Sequence, residues 1–220
     1  MDLNDPISVR ADYDRIAEDY ARKIFGELQH KPFDRELLTR FAATVKGHGS
    51  ICDMGTGPGH VARFLRDAGA EVFGLDLSPN MLEQARRLSP DIAFCEGNML
   101  ALDLEDESLA GITAFYAIAN IPAGSLANVF REMYRVLKPG GTLLLSFHIG
   151  SDVIRPQSLW NNPVSMEFYQ QEPARIRQLL TSAGFTVDDV IEREPYAPDV
   201  EYQSRRAYVL ARKQANLTTS

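Results

Sequence analysis

The sequence predicts an α/β fold. The expected architecture is a doubly wound, mostly parallel seven-stranded sheet in three αβα layers. An antiparallel pair closes one edge, and a helical lid precedes it. Three observations carry this reading. Short β-type apolar runs alternate with helical runs from residue 51 onward, the pattern of parallel strands joined by crossover helices. The run Ile51-Cys52-Asp53-Met54-Gly55-Thr56-Gly57-Pro58-Gly59-His60 ends an apolar strand in an acid, turns through three glycines and opens a helix. The last two β runs are separated by only about fifteen residues that include Pro195 and Pro198, too few for a helical crossover.

The elements follow in order. Residues 1–50 read as helical, with Tyr13, Ile16, Ala17, Tyr20, Ala21 and Ile24 at helical spacing over Asp12–Phe25. Phe33–Val45 repeats that period until Gly47 and Gly49 stop it. Ile51–Met54 is a strand and His60–Ala68 a helix. Glu71–Leu75 is a strand, and Pro79–Leu88 a helix capped by Ser78 with proline at its first position. Ile92–Cys95 and Ala110–Tyr116 are strands. Ser125–Leu137 carries a helical apolar stripe that Lys138-Pro139-Gly140-Gly141 breaks, and Thr142–Phe147 is the fifth strand. A helix at Pro173–Ala183 precedes β runs at Phe185–Ile191 and Ala207–Ala211. Gln214–Ser220 reads as a frayed tail. The expected division is a lid over 1–47 and a core over 48–213, with a cap insertion at about 149–172.

Bulk composition narrows the function. A chain of 220 residues, 45% hydrophobic, can bury one sizeable core. Its net charge of −7 argues against nucleic acid as a partner, because phosphate-backbone binding draws on clustered Lys and Arg. Cys52 and Cys95 lack metal-ligand spacing and sit in apolar runs, so both are expected as buried free thiols, with no metal. That usage, with no apolar leader in the N-terminal run and no span of membrane length, points to a cytoplasmic protein without a membrane partner.

In open parallel sheets, ligands bind beyond the carboxyl ends of the strands where strand order reverses. Asp53, the glycine loop and Asp76, which closes the second β run, all fall there. Asp53-Met54-Gly55-Thr56-Gly57-Pro58-Gly59 matches a D-x-G-x-G-x-G loop. Leu75-Asp76-Leu77-Ser78-Pro79-Asn80-Met81-Leu82, Glu96-Gly97-Asn98-Met99 and Arg135-Val136-Leu137-Lys138-Pro139-Gly140-Gly141 follow at matching intervals. Over residues 10–150 the chain thus resembles class I (Rossmann-like) S-adenosylmethionine-dependent methyltransferases of small-molecule type.

The resemblance implies S-adenosylmethionine as cofactor and S-adenosylhomocysteine as product. Asp76 would hold the ribose hydroxyls. Gly55, Thr56, Gly57 and Gly59 would let the methionine end approach the backbone, with Asp53 orienting the loop or reaching the amino group. Leu77 and Met99 would flank the adenine, and Met81, Leu100 and Phe115 would complete the pocket. Asn98 stands where the family commonly has Asp, so it would still accept from the adenine amine but without charge. Tyr13-Asp14-x-x-Ala17-x-x-Tyr20 resembles the family's lid helix, in which Tyr13 and Tyr20 would touch the cofactor or substrate; as a plain stripe they would be core.

The expected reaction is in-line displacement by an O, N or C nucleophile of a small molecule. The candidates for proton handling are His148, at the end of the fifth strand, Tyr116 and Tyr13. Trp160, Phe168 and Tyr169 suggest walls for an aromatic or partly apolar acceptor, in a monomer or homodimer. Two alternatives remain. A NAD-dependent oxidoreductase has a related loop, G-x-G-x-x-G, but here the third glycine comes one residue early. A non-catalytic S-adenosylmethionine-binding protein would keep the loop without turnover.

Overall fold

The computed structural model describes residues 6–215, so Met1–Asp5 and most of the expected tail lie outside it. The chain runs α1 (Pro6–Ile24), a 3₁₀ turn (Glu27–His30), α2 (Pro32–Val45), β1 (Ile51–Met54), α3 (His60–Asp67), β2 (Val72–Asp76) and α4 (Pro79–Leu88). Next come β3 (Ala93–Glu96), β4 (Leu109–Phe115), α5 (Leu126–Val136) and β5 (Leu137–His148). An insert holds four two-residue strands, β6 (Val153–Ile154), β7 (Ser158–Leu159), β8 (Asn162–Pro163) and β9 (Phe168–Tyr169). α6 (Pro173–Ser182), β10 (Phe185–Arg193) and β11 (Arg206–Lys213) complete the described chain.

The main sheet has seven strands in the order β10-β11-β5-β4-β1-β2-β3. β1 pairs in parallel with both β2 and β4, so strand order reverses at β1. β11 runs antiparallel to β5 on one side and β10 on the other. The seven expected strands are all present. β5 begins five residues early because Leu137–Gly141 joins the strand, with Gly140 at φ +81° and a register shift opposite Leu109–Gly111.

The sheet separates two apolar layers. Val129, Phe130 and Met133 of α5 and Ile176 and Leu180 of α6 pack on Ile112, Leu143, Leu145 and Val209. Leu38, Phe41 and Val45 of α2 and Leu65 of α3 pack on Ile51, Leu144 and Tyr208 of the other face. Full burial of such side chains stabilises by about 1.5–3 kcal/mol each. α2 is therefore one of the layer helices. Cys52 is buried as expected, but Cys95 is exposed: β3 is an edge strand with only Phe94 buried.

α1 takes a different position, across the carboxyl edge of the sheet. It buries Ile16 and Ala17 against Met81 of α4 and against Val164 and Met166 of the insert. Its polar residues fix it there. Asp14 accepts from Ser78 Oγ (2.6 Å) and Asn80 N (3.1 Å). Asp12, 3% exposed, accepts from Ser165 N (2.7 Å), Ser165 Oγ (3.0 Å) and Met166 N (2.8 Å). Trp160 and Asn161, with φ of +49° and +67°, turn the β7–β8 hairpin so that Trp160 meets Tyr20 edge-on at 5.5 Å.

Candidate active site

The loop after β1 is anchored from below. Asp53 is buried and accepts from Thr56 Oγ1 (2.6 Å) and Thr113 Oγ1 (2.8 Å). Burial raises its pKa, and those hydroxyls oppose the rise. Asp53 and Thr56 thus fasten the loop and do not face the cleft. Gly55 N and Thr56 N donate to Leu75 O at 2.7 and 3.0 Å, drawing the loop over the end of β2. Gly55, at φ +67°, leaves no room for a side chain, since a Cβ would lie 2.6 Å from Ala117 Cβ. Gly59, at φ +83°, abuts Phe94 instead and belongs to the packing of α3.

Asp76 ends β2 at the rim. Its Oδ2 accepts from Gly57 N (2.7 Å) and its Oδ1 from Ser78 N (2.9 Å). Burial pushes its carboxyl up to about 6, against the pull of those two N–H groups. The cleft around it is lined by Gly55, Gly57, Leu75, Asp76, Leu77, Met81, Gly97, Asn98, Met99 and Leu100 on the sheet side. Pro6, Val9, Tyr13 and Tyr20 of α1 roof it, and Phe115, Tyr116, Ala117, Asn120, Ile121 and Pro122 form its far wall. Asn98 Oδ1 accepts from Leu100 N (2.9 Å), which leaves its second lone pair for another donor. Tyr13 OH donates to Asn120 Oδ1 (2.7 Å), and Asn120 Nδ2 donates to Glu167 O (2.8 Å), tying roof, wall and insert together.

Tyr116 is the first residue beyond β4 and sits at φ +54°. A bulky residue in that region stores about 1–3 kcal/mol of strain and persists only where its surroundings hold it. Lys31 Nζ and Arg206 Cζ lie 5.7 and 5.8 Å from its ring centre. Behind it is a buried polar cluster: Lys31 pairs with Glu27 (2.8 Å), and Arg193 pairs with Glu201 (2.6 Å) and Asp34 (3.1 Å). Burial opposes the ionised form of Glu27, but His60 and Lys31 together hold it down to about 2.

Of the residues the sequence singles out, Tyr13, Tyr20, Gly55, Gly57, Asp76, Leu77, Met81, Asn98, Met99, Leu100, Phe115 and Tyr116 meet in one cleft. Asp53, Thr56, Gly59 and His148 do not line it. His148 lies behind Tyr116, ring centres 4.9 Å apart, with Nδ1 2.6 Å from Ser204 Oγ. Burial, then the charges of Arg206 and Lys31, bring His148 down to about 4, so the ring is neutral at pH 7. Trp160 and Phe168 pack against the α1 cluster, and Tyr169 OH donates to Glu167 Oε2 (2.7 Å). Trp160 and Phe168, two of the three expected acceptor walls, are thus part of the seat of α1, because the insert folds onto that helix. Pro6 and Val9 escaped the sequence reading as lining residues, whereas Asn120, Ile121 and Pro122 belong to the run after the fourth strand, whose edge the resemblance turns toward the transferable methyl.

A methyltransferase-domain family model matches residues 51–141. The chain is 33% identical over 139 residues to a malonyl-[acyl-carrier protein] O-methyltransferase of Enterobacter lignolyticus, covering 63% of this chain and 53% of that protein. It is 32% identical over 145 residues to a demethylmenaquinone methyltransferase of Renibacterium salmoninarum, covering 64% and 59%. The chain thus matches little more than half the length of these relatives. Among solved structures, an S-adenosylmethionine-dependent methyltransferase of Methanosarcina mazei superposes with TM-score 0.68 at 18% identity, over 76% of this chain and 93% of that one. A protein of Haloferax volcanii, solved with a methyltransferase activator, gives TM-score 0.68 at 23% identity over 95% and 99%.

Proposed function

We propose that the chain, whose residues 51–141 match a methyltransferase-domain model, is a class I S-adenosylmethionine-dependent methyltransferase that transfers the sulfonium methyl to a nucleophile of a small molecule and releases S-adenosylhomocysteine. The observation that carries this reading is Asp76. A half-buried carboxylate stands at the end of β2, beside the strand-order reversal, oriented by two backbone N–H groups. The residues present fit the donor. Asp76 would accept the ribose hydroxyls, each bond to the charged acceptor contributing about 1.5–3 kcal/mol. Gly55 and Gly57 expose bare backbone to the methionine end, beside Tyr20 and Phe115. Leu77 and Met99 would flank the base, with Met81, Asn98 and Leu100 around it.

When bound, the donor supplies an already activated, electrophilic methyl group. The protein's part is alignment and exclusion of water; positioning alone can contribute about 7–11 kcal/mol. The Tyr13–Asn120–Glu167 tie closes the cleft on the solvent side, and Tyr116 faces the acceptor end. His148 supports Tyr116 from behind as a neutral ring.

Calorimetry tests the reading. Wild-type protein should bind S-adenosylmethionine and S-adenosylhomocysteine and ignore NAD, and Asp76→Ala should lose at least about tenfold in affinity. Undiminished binding by Asp76→Ala, or NAD binding in place of S-adenosylmethionine, would refute it. A protein that binds S-adenosylhomocysteine tightly yet never turns over would fit the non-catalytic alternative.

A further inference from the structure

The polar cluster behind Tyr116 has a fixed direction. Tyr208, 1% exposed, sits on β11 with its hydroxyl 3.2 Å from Tyr116 OH. That same hydroxyl donates to Asp34 Oδ1 (2.9 Å) and accepts from Arg193 Nε (3.0 Å). A phenol has one proton, and Tyr208 gives its own to Asp34. The Tyr116 hydroxyl must therefore be the donor in the Tyr116–Tyr208 bond. The proton of Tyr116 points to Tyr208, and its oxygen is left as a hydrogen-bond acceptor.

Building on the methyl-transfer reading, we propose that Tyr116, Tyr208 and Asp34 form a proton relay serving an acceptor that attacks through an O–H or N–H group. The acceptor's O–H or N–H bond breaks as its oxygen or nitrogen bonds the methyl carbon, and the sulfur departs with the electron pair of the C–S bond. The released proton goes to the Tyr116 oxygen. Tyr116 passes its own proton to Tyr208, and Tyr208 passes its own to Asp34. Both tyrosines end neutral, and one proton rests on the carboxyl of Asp34.

The surroundings support Asp34 as the end of the chain. It is 1% exposed, in the first turn of α2, and burial raises its pKa despite Arg193 and Lys31. Arg193 of β10 lies 3.1 Å from its Oδ2, Tyr208 faces it from β11, and Lys31 precedes it. Glu201, in the loop before β11, shares Arg193 with it and also holds Arg206 at 3.2 Å. Tyr196 of the same loop accepts from Phe33 N beside it. Arg193 is thus divided between two carboxylates, which leaves Asp34 able to take a proton without breaking the ion pair with Glu201. Burial also raises the pKa of both tyrosines, so neither stores the charge and both can only pass the proton on.

The test uses catechol, 1,4-naphthohydroquinone and glycine as proton-bearing probes, with malonate as a carboxylate without such a proton. Wild-type protein should methylate a proton-bearing probe, with a kcat at saturating S-adenosylmethionine that falls on the acid side as Asp34 protonates. Asp34→Asn should lower kcat by about 100-fold or more and abolish that acid limb. Tyr208→Phe should do the same, and the double variant should lose no more than either single one. Affinity for S-adenosylhomocysteine should stay unchanged in both, which shows that the fold survives. In protein carrying ¹³C-labelled aspartate, the Asp34 carboxyl signal should titrate above the usual carboxylate range, and higher still in Tyr208→Phe, which removes a donor to the charged form. Asp34→Asn with wild-type kcat overturns the relay. So does methylation of malonate alone, or of no probe at all by protein that binds S-adenosylmethionine. Failure of the wild-type chain to bind S-adenosylmethionine would instead sink the reading on which the relay rests.

Discussion

At the scale of single residues, the pKa of Asp76 makes a direct prediction. Desolvation at the rim pushes its carboxyl up to about 6. Ribose hydroxyls donate to the ionised form, so binding must favour proton loss. Affinity for S-adenosylhomocysteine should be constant above pH 7 and fall as pH drops through about 6, approaching tenfold per pH unit. Calorimetry across pH 5 to 8 reads this, and a flat profile would contradict it. Gly55→Ala should be worse than a typical surface change, because its φ of +67° and the 2.6 Å approach to Ala117 leave the new methyl nowhere to go. Strain of about 1–3 kcal/mol is expected, lowering Tm by about 2–4 °C per kcal/mol, together with weakened nucleoside binding. These residues were legible in the sequence because what marks them is local: a glycine run, a strand-ending acid, a capping serine. Asp34, Arg193 and Tyr208 were not. They lie 159 and 174 residues apart along the chain and meet only once β10 and β11 reach the sheet.

At the scale of elements, α1 is held both by the apolar cluster around Ile16 and Ala17 and by a few polar contacts. Asp12 is the centre of them, and its carboxylate accepts from two backbone N–H groups and one hydroxyl of the insert. Burial favours its protonated form, but these hydrogen bonds and Arg15 outweigh it and lower its pKa. A carboxylate with a depressed folded pKa stabilises above its unfolded value, about 3.9, and that stabilisation is lost as pH falls below it. Asp12→Ala would strand the buried N–H of Met166, at about 1–3 kcal/mol, and release that of exposed Ser165. The expected result is faster proteolytic cleavage within α1 and weaker S-adenosylhomocysteine binding, with the Rossmann-like core still cooperative in thermal unfolding. Equal protection of α1 in variant and wild type would show that the apolar contacts suffice. The helix itself was readable from its period. That Asp12 is buried was not, because only the insert makes it so.

At the scale of the whole molecule, roof and core converge on one cleft and the insert backs the roof, so a ligand there stabilises roof and core together. Ligand at 100 times its Kd adds about 2.7 kcal/mol, which for a chain of this size corresponds to a rise of about 5–11 °C in Tm. A scan with S-adenosylhomocysteine should show a single shifted transition, and an unshifted one would mean that the cleft is not its site. Alternation of strands and helices made the three layers legible, and the short Pro-containing link made the antiparallel pair legible. The order β10-β11-β5 was beyond that reading, because strand length and polarity do not say which of two edge strands lies inside.

That order has a consequence for biosynthesis. β11 follows β10 in the chain yet slots between it and β5. While the polypeptide is still emerging from the ribosome, β5 therefore presents a bare hydrogen-bonding border, and β10 has no neighbour to dock on. Translation must run past Lys213 before either is satisfied, and the same late event delivers Tyr208 to Tyr116. A message truncated ahead of Arg206 would thus yield an aggregation-prone fragment rather than a sluggish catalyst.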